Sequence, residues 1–104
     1  MNNDKNLSEI KNLIMDLLPG SRVILFGSRG REDFDNNSDY DIMVVSKKNL
    51  DIKEKRQYAG KIRKKLAVIG IPVDVLVRTE KDISYYGRKI GSVVKDAVRD
   101  GIAL

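Results

Sequence analysis

Apolar residues follow helical spacing in some parts of the chain and form short continuous runs in others, which predicts both helices and strands. Helical spacing predicts a first helix over about residues 7–18 and a second over about residues 53–69. Continuous apolar runs predict three buried strands, at residues 23–26, 40–45 and 73–77.

Two further helices are predicted after the third strand. Thr79 is placed to cap a short helix that begins at Glu80, and a last helix covers about residues 90–99 before Gly101 stops it. The element order predicts an α/β or α+β fold, with a small mixed sheet of three or more strands flanked by helices. The length of 104 residues predicts a single domain over residues 1–104.

The same spacing predicts which side chains form the core. We expect Tyr85 and Tyr86 to pack against this core rather than to contact a partner or a nucleotide base. The predicted apolar stripe of the second helix comprises Ala59, Ile62, Leu66 and Ile69, and that of the last helix comprises Ile90, Val93, Val94 and Ala97.

The chain contains no cysteine and no histidine. This excludes disulfides, zinc–thiolate sites, a cysteine nucleophile and the serine–histidine triad, so acid–base chemistry must use carboxylates, lysine or tyrosine. No apolar run approaches the ~20 residues of a membrane span, and the N-terminus lacks the pattern of a signal peptide. These features predict a cytoplasmic protein.

Positive charge is concentrated in the second half of the chain. Residues 1–52 carry 7 Lys/Arg against 9 Asp/Glu, whereas residues 53–104 carry 13 against 6. The basic second helix, residues 53–69, either contacts an anionic partner or presents a solvated face. Nucleic-acid binding stays open but is not favoured, because only 6% of the residues are aromatic and no base-stacking platform is evident.

Two acidic residues stand at the start of the second strand. Asp39 and Asp41 flank Tyr40, so in a strand they point to the same face, ~6.6 Å apart. Two carboxylates on one face repel each other, and a divalent cation such as Mg²⁺ removes that repulsion. Alternatively, Asp39 caps the strand and Asp41 lies at an exposed edge.

A third acid, Asp74, interrupts the apolar run of the third strand. A buried carboxylate must be paired, hydrogen-bonded or bound to a metal, whereas on an edge strand Asp74 could simply face solvent. If the second and third strands are neighbours, Asp74 completes a cluster of three carboxylates. Such a cluster can hold two metal ions ~3.5–4 Å apart for displacement at phosphorus.

A glycine-rich segment follows the first strand, with the sequence Gly27-Ser28-Arg29-Gly30-Arg31. Glycine lets the backbone approach a phosphate closely, and the Ser28 hydroxyl and nearby N–H groups can hold phosphate oxygens. Arg29 and Arg31 supply positive charge for a triphosphate. The segment is not a P-loop, and by itself it can equally be a turn.

These features together resemble a known signature. Gly27-Ser28, ten further residues and then Asp39-Tyr40-Asp41 match the Gly-Ser-x10-Asp-x-Asp pattern of polymerase-beta-like nucleotidyltransferases. The chain is similar over its full length to the minimal nucleotidyltransferase (MNT) family, since its short length and the later Val73-Asp74-Val75 strand also fit.

The resemblance implies a reaction and a partner. Such enzymes use Mg²⁺, here two ions, to transfer a nucleoside monophosphate from a nucleoside triphosphate, with ATP favoured, to a hydroxyl. Asp39, Asp41 and Asp74 would bind the metals and act in catalysis, and Gly27, Ser28, Arg29 and Arg31 would bind the nucleotide. The implied partner is a HEPN-domain ribonuclease toxin, silenced by AMP on a tyrosine.

Two alternatives differ in chemistry. A non-catalytic relative would mask the toxin sterically, although such a binder gains nothing from three acids. Transfer to an RNA end or to a small molecule such as an aminoglycoside generally needs an additional substrate domain, for which 104 residues leave no space.

Overall fold

A four-stranded mixed sheet forms the centre of the computed structural model, which describes residues 5–27, 39–86, 97 and 99–104. Its spatial order is β3-β2-β1-β4. β1 pairs antiparallel with both β2 and β4, and β2 pairs parallel with β3. The strands are β1 (Arg22–Phe26), β2 (Tyr40–Ser46), β3 (Val73–Thr79) and β4 (Ile102–Ala103).

Three helices are fully bounded within the described residues: α1 (Lys5–Leu17), α2 (Ile52–Val68) and α3 (Glu80–Tyr86). The parallel pairing of β2 with β3 requires a long connection that returns the chain to the same end of the sheet, and α2 provides it. Consequently β2 and β3 both begin at the end of the sheet where β1 finishes.

Both faces of the sheet are covered, which explains the continuous apolar run of β2. On the first face Ile42 and Val44 belong to the same buried cluster as Ile14 of α1 and Leu66 of α2. On the second face the buried residues are Ile24, Met43, Val45 and Ala97, with Phe26, Leu76 and Ile83 packed against them.

Hydrogen bonds at the helix starts fix two of the connections. Asp51 caps α2 in a reciprocal pair with Glu54, at 2.7 and 3.0 Å, a cap that the sequence analysis did not identify. The predicted Thr79 cap of α3 is confirmed, since its hydroxyl accepts from the Asp82 N–H at 3.2 Å. Lys55 also pairs with Asp82 at 2.8 Å and so ties α2 to α3.

The predicted fold class is confirmed, and the described elements lie within about two residues of their predicted bounds. β4 was not predicted, because a strand of two residues carries no periodic signal. The chain approaches β1 closely there: a side chain at Gly101 would overlap the Ala97 carbonyl and Ile24. Gly101 also donates its N–H to the Ala97 carbonyl at 2.8 Å, as expected of a helix stop.

Two predicted core residues are exposed instead. Ile69 is 53% exposed, because α2 ends at Val68 and the next residue leaves the apolar stripe. Tyr85 is 57% exposed, because the short α3 turns Ile83 toward the sheet. The Tyr86 side chain and most of the predicted last helix, including Ile90, Val93 and Val94, lie outside the described residues, whereas Ala97 is buried as predicted.

None of the helices in the described ranges is long and apolar enough to span a membrane.

Candidate active site

Strand register places two carboxylates side by side. In the parallel pairing of β2 with β3, Asp41 lies opposite Asp74, and in the antiparallel pairing of β1 with β2 it lies opposite Phe26. Adjacent strands are ~4.8 Å apart, so Asp41 and Asp74 are cross-strand neighbours at the end where β2 and β3 begin. Residues separated by 33 positions in the chain thus share one site.

The environment of the pair is asymmetric. Asp41 is half-buried on the central strand β2, whereas Asp74 is exposed on the edge strand β3, and the exposed Asp39 immediately precedes β2. Burial raises the pKa of the Asp41 carboxyl above its ordinary value, and the negative charges of Asp74 and Asp39 raise it further. The site therefore concentrates negative charge that a cation would neutralise.

Gly27 closes the site on the other side of Asp41. Its φ is +68°, in the left-handed region, and a Cβ built on it would overlap the Oδ2 atom of Asp41. The chain leaves β1 directly against the carboxylate, and only a residue without a side chain leaves that space free. Gly27 therefore determines where the Asp41 carboxylate can lie.

We expect Gly27→Ala to destabilise the fold by about 1–2 kcal/mol through its backbone conformation and also to displace Asp41. Gly70→Ala is the matched control, since Gly70 has φ +81° but no atom within 4 Å of a built Cβ. Both variants should lose thermal stability in calorimetry, whereas only Gly27→Ala should lose the nucleotidyl transfer that the resemblance implies. Equal transfer by the two variants would contradict a role of Gly27 in placing Asp41.

The start of β2 is anchored by the residue between its two acids. The Tyr40 side chain is 3% exposed on the first face of the sheet, and its hydroxyl accepts from Asn6 Nδ2 at 3.2 Å. Its backbone N–H donates to the Pro72 carbonyl at 3.1 Å, which joins β2 to the segment before β3. This bond holds Asp39 and Asp41 in place relative to Asp74. Tyr40 was not predicted to belong to the site, although alternation along a strand predicts that its side chain faces away from those of Asp39 and Asp41.

The chemistry of the donors suits Mg²⁺, which is commonly bound in proteins by one or two carboxylates together with substrate phosphates. Asp41 and Asp74 provide such a pair next to the close backbone approach at Gly27. In the part of the chain that the structure describes, no three acidic side chains are arranged to hold a metal by themselves, so Asp39 flanks the pair rather than closing a cage. The predicted nucleotide-binding residues Ser28, Arg29 and Arg31 lie outside the described residues.

Comparison with known proteins assigns the family. The family model described as the nucleotidyltransferase domain matches residues 7–104 of this chain. The chain belongs to the nucleotidyltransferase domain family. The resemblance read from Gly27-Ser28 and the Asp39/Asp41 pair is thereby confirmed at the level of the superfamily.

One curated relative of this nucleotidyltransferase domain comes from Methanocaldococcus jannaschii and is named as an inferred protein adenylyltransferase. It is 36% identical over 69 residues, which make up 66% of this chain and 64% of the relative. The matched region thus spans less than two thirds of the relative's length.

Two solved structures have the same fold. An inferred nucleotidyltransferase from Sulfolobus solfataricus matches with a TM-score of 0.64 and 26% identity, over 95% of this chain and 76% of that one. The complex of a tri-AMPylated Shewanella oneidensis HEPN toxin with MNT antitoxin matches with a TM-score of 0.56 and 24% identity. This second match covers 94% of this chain and 67% of the other.

Proposed function

We propose that this chain is a Mg²⁺-dependent nucleotidyltransferase that transfers AMP from ATP to a tyrosine hydroxyl of a HEPN ribonuclease toxin and so acts as its antitoxin. The observation that carries the proposal is the pairing of Asp41 with Asp74 beside Gly27 in a nucleotidyltransferase domain. The name of the Methanocaldococcus relative supports AMP as the transferred group. The AMPylated HEPN toxin in the Shewanella complex supports the class of acceptor.

The site residues divide into a nucleotide side and an acceptor side. Asp41, half-buried between β1 and β3, and the adjacent Asp39 would hold a metal ion on the nucleotide side. Asp74, exposed on the edge strand, would hold the metal nearest the acceptor and reach a hydroxyl that arrives from solvent. The backbone at Gly27, with Ser28, Arg29 and Arg31, would bind the phosphates.

The reaction is a displacement at the α-phosphorus of ATP. The acceptor oxygen forms a bond to this phosphorus while the bond to the oxygen that bridges to the β-phosphate breaks, and pyrophosphate leaves. Asp74 takes the proton of the attacking hydroxyl, which keeps the nucleophile anionic as the new bond forms. When bound by these carboxylates, Mg²⁺ would neutralise phosphate charge and help to align the reacting groups.

AMP on the toxin would block the ribonuclease by charge and by size. Each added phosphodiester carries a negative charge, which repels the phosphate backbone of RNA, and the nucleoside occupies space at the nuclease site. Silencing therefore needs no permanent complex between antitoxin and toxin.

Co-expression with a candidate HEPN-domain protein from the same organism tests the proposal. The partner should gain mass in whole AMP units in the presence of the wild-type chain, and its mass should stay unchanged with Asp39→Asn/Asp41→Asn. Supplying ATP, CTP, GTP and UTP separately to the purified proteins identifies the nucleotide. If the double variant neutralises the toxin as well as wild type and no mass is gained, steric masking replaces transfer as the mechanism. If AMP is instead found on RNA, the acceptor is a nucleic acid and not a protein.

A further inference from the structure

The end of β2 that carries the two acids is supported by the sheet on one side. The pairing of β1 with β2 ends at Phe26 and Asp41, so at Tyr40 the described register continues with β3 alone. Asp39 precedes the strand and lies beyond both ladders. Strand ends with few hydrogen bonds open more readily than strand centres, so the position of these acids depends on contacts outside the ladder.

A contact from α1 supports the strand where β1 does not reach. The Tyr40 ring belongs to the buried cluster on the first face, and its hydroxyl accepts from Nδ2 of Asn6, in the first turn of α1, at 3.2 Å. Because 34 positions separate the two residues, this bond joins the start of the chain to the start of β2. A phenylalanine would fill the same apolar space, but a buried tyrosine hydroxyl needs a hydrogen-bond partner, which Asn6 provides.

The anchor acts on the acids through the alternation of side chains along the strand. Tyr40 points to the first face, so the side chains on either side of it point to the second face, where Asp74 also lies. A twist of the strand that released Tyr40 from the first face would turn Asp39 and Asp41 away from Asp74. Displacements of about 1 Å in a reactive site can cost ~10²-fold in rate, so such a twist would be costly.

We propose that Asn6 is a positioning residue: its hydrogen bond to Tyr40 holds Asp39 and Asp41 in the orientation in which they bind Mg²⁺ together with a nucleoside triphosphate. This inference rests on the proposed function, and within it on metal and nucleotide binding rather than on the acceptor. Asn6 lies on the first face of the sheet, opposite the acids, and therefore acts only through Tyr40.

Substitutions at both ends of the bond test the inference in the full chain. Tyr40→Phe and Asn6→Ala should each raise the Mg²⁺ concentration needed for half-maximal binding of a non-hydrolysable ATP analogue about 10-fold, measured by titration calorimetry. Because both substitutions remove the same bond, the double variant should be no worse than either single variant. Asn6→Asp should recover most of the lost binding, since the Tyr40 hydroxyl can donate to a carboxylate as well as accept from an amide.

Two controls separate positioning from stability. Ile14→Val, in the same buried cluster, should lower the melting temperature without changing the Mg²⁺ dependence of binding. Tyr58→Phe removes the hydroxyl of a tyrosine that packs against this cluster from α2 and should likewise leave binding unchanged. In the metal-free protein, Asn6→Ala should speed amide hydrogen exchange about 10-fold at Tyr40 and leave it unchanged at Val44, in the middle of β2.

The outcomes separate this inference from the proposed function. If Tyr40→Phe and Asn6→Ala bind the analogue at the wild-type Mg²⁺ concentration, the bond only stabilises the fold, the positioning role is wrong and the proposed function survives. If the variants lose binding as expected but wild type modifies no HEPN protein, the positioning role stands and the proposed acceptor is wrong. If wild type shows no Mg²⁺-dependent binding of the analogue, both fail.

Discussion

Asp41→Asn should abolish AMP transfer and at the same time raise the melting temperature of the metal-free protein. The carboxylate is half-buried and faces the charges of Asp74 and Asp39, so its ionised form is disfavoured in the folded state. Removing that charge relieves the repulsion but, under the proposed mechanism, also removes a metal ligand. We expect transfer to fall by at least ~10²-fold, measured by incorporation of labelled AMP.

The pH dependence of stability follows from the same carboxylate. Because the pKa of Asp41 is raised on folding, its contribution to stability is fully present below the ordinary pKa of 3.8 and is lost as pH rises through the folded-state pKa. Melting temperatures in chelator should therefore show this loss in wild type and not in Asp41→Asn. Asp16→Asn, at an exposed position of α1, is the control and should change neither transfer nor the pH profile. If Asp41→Asn melts at a lower temperature than wild type in chelator, the repulsion of Asp41 by Asp74 and Asp39 does not destabilise the fold.

Asp74→Asn should slow transfer by ~10²-fold or more while changing the affinity for the triphosphate only modestly. Asp74 is exposed on the edge strand, and the proposed mechanism therefore assigns it to the chemical step rather than to nucleotide binding. Single-turnover kinetics with saturating ATP measure the rate of that step, and titration with a non-hydrolysable ATP analogue measures binding.

The two substitutions should therefore differ in their effect on triphosphate binding. Asp41→Asn should weaken Mg²⁺-dependent triphosphate binding strongly, whereas Asp74→Asn should leave most of it. If Asp74→Asn transfers at the wild-type rate, its carboxylate merely faces solvent from an edge strand. If wild type binds the triphosphate equally well with Mg²⁺ and with excess chelator, binding does not depend on the metal, and the proposed metal-binding roles of Asp41 and Asp74 are contradicted.

The strands of the sheet could be predicted because their burial leaves a strong local pattern. β2 is covered on both faces, so four consecutive apolar residues after Asp41, Ile42 to Val45, predict it without any structural information. The Thr79 cap was also predictable, since it depends only on the residues of the next turn. β4 could not be predicted, because its two residues pair with β1 only through the tertiary packing around Gly101.

The site was predictable only in part. The Gly27-Ser28 and Asp39/Asp41 spacing is local and identified the family, but the contact between Asp41 and Asp74 depends on the neighbour and direction of β3, which periodicity does not encode. The steric need for glycine at position 27 likewise arises from the antiparallel register with β2. Ile69 was misassigned because the end of α2 is set by its terminal hydrogen bonds, one residue before the stripe would continue.

The crossover through α2 has a consequence for protein engineering. Asp41 and Asp74 are joined by hydrogen-bonded strand register, so the length of chain between them is not part of the catalytic geometry. Residues 47–51 run from the far end of β2 into α2, away from both carboxylates, and Lys47, Lys48 and Asn49 there are exposed. A reporter peptide or a small domain inserted at Asn49 would therefore sit remote from nucleotide and acceptor, which makes this turn a suitable position for a tag on an active enzyme.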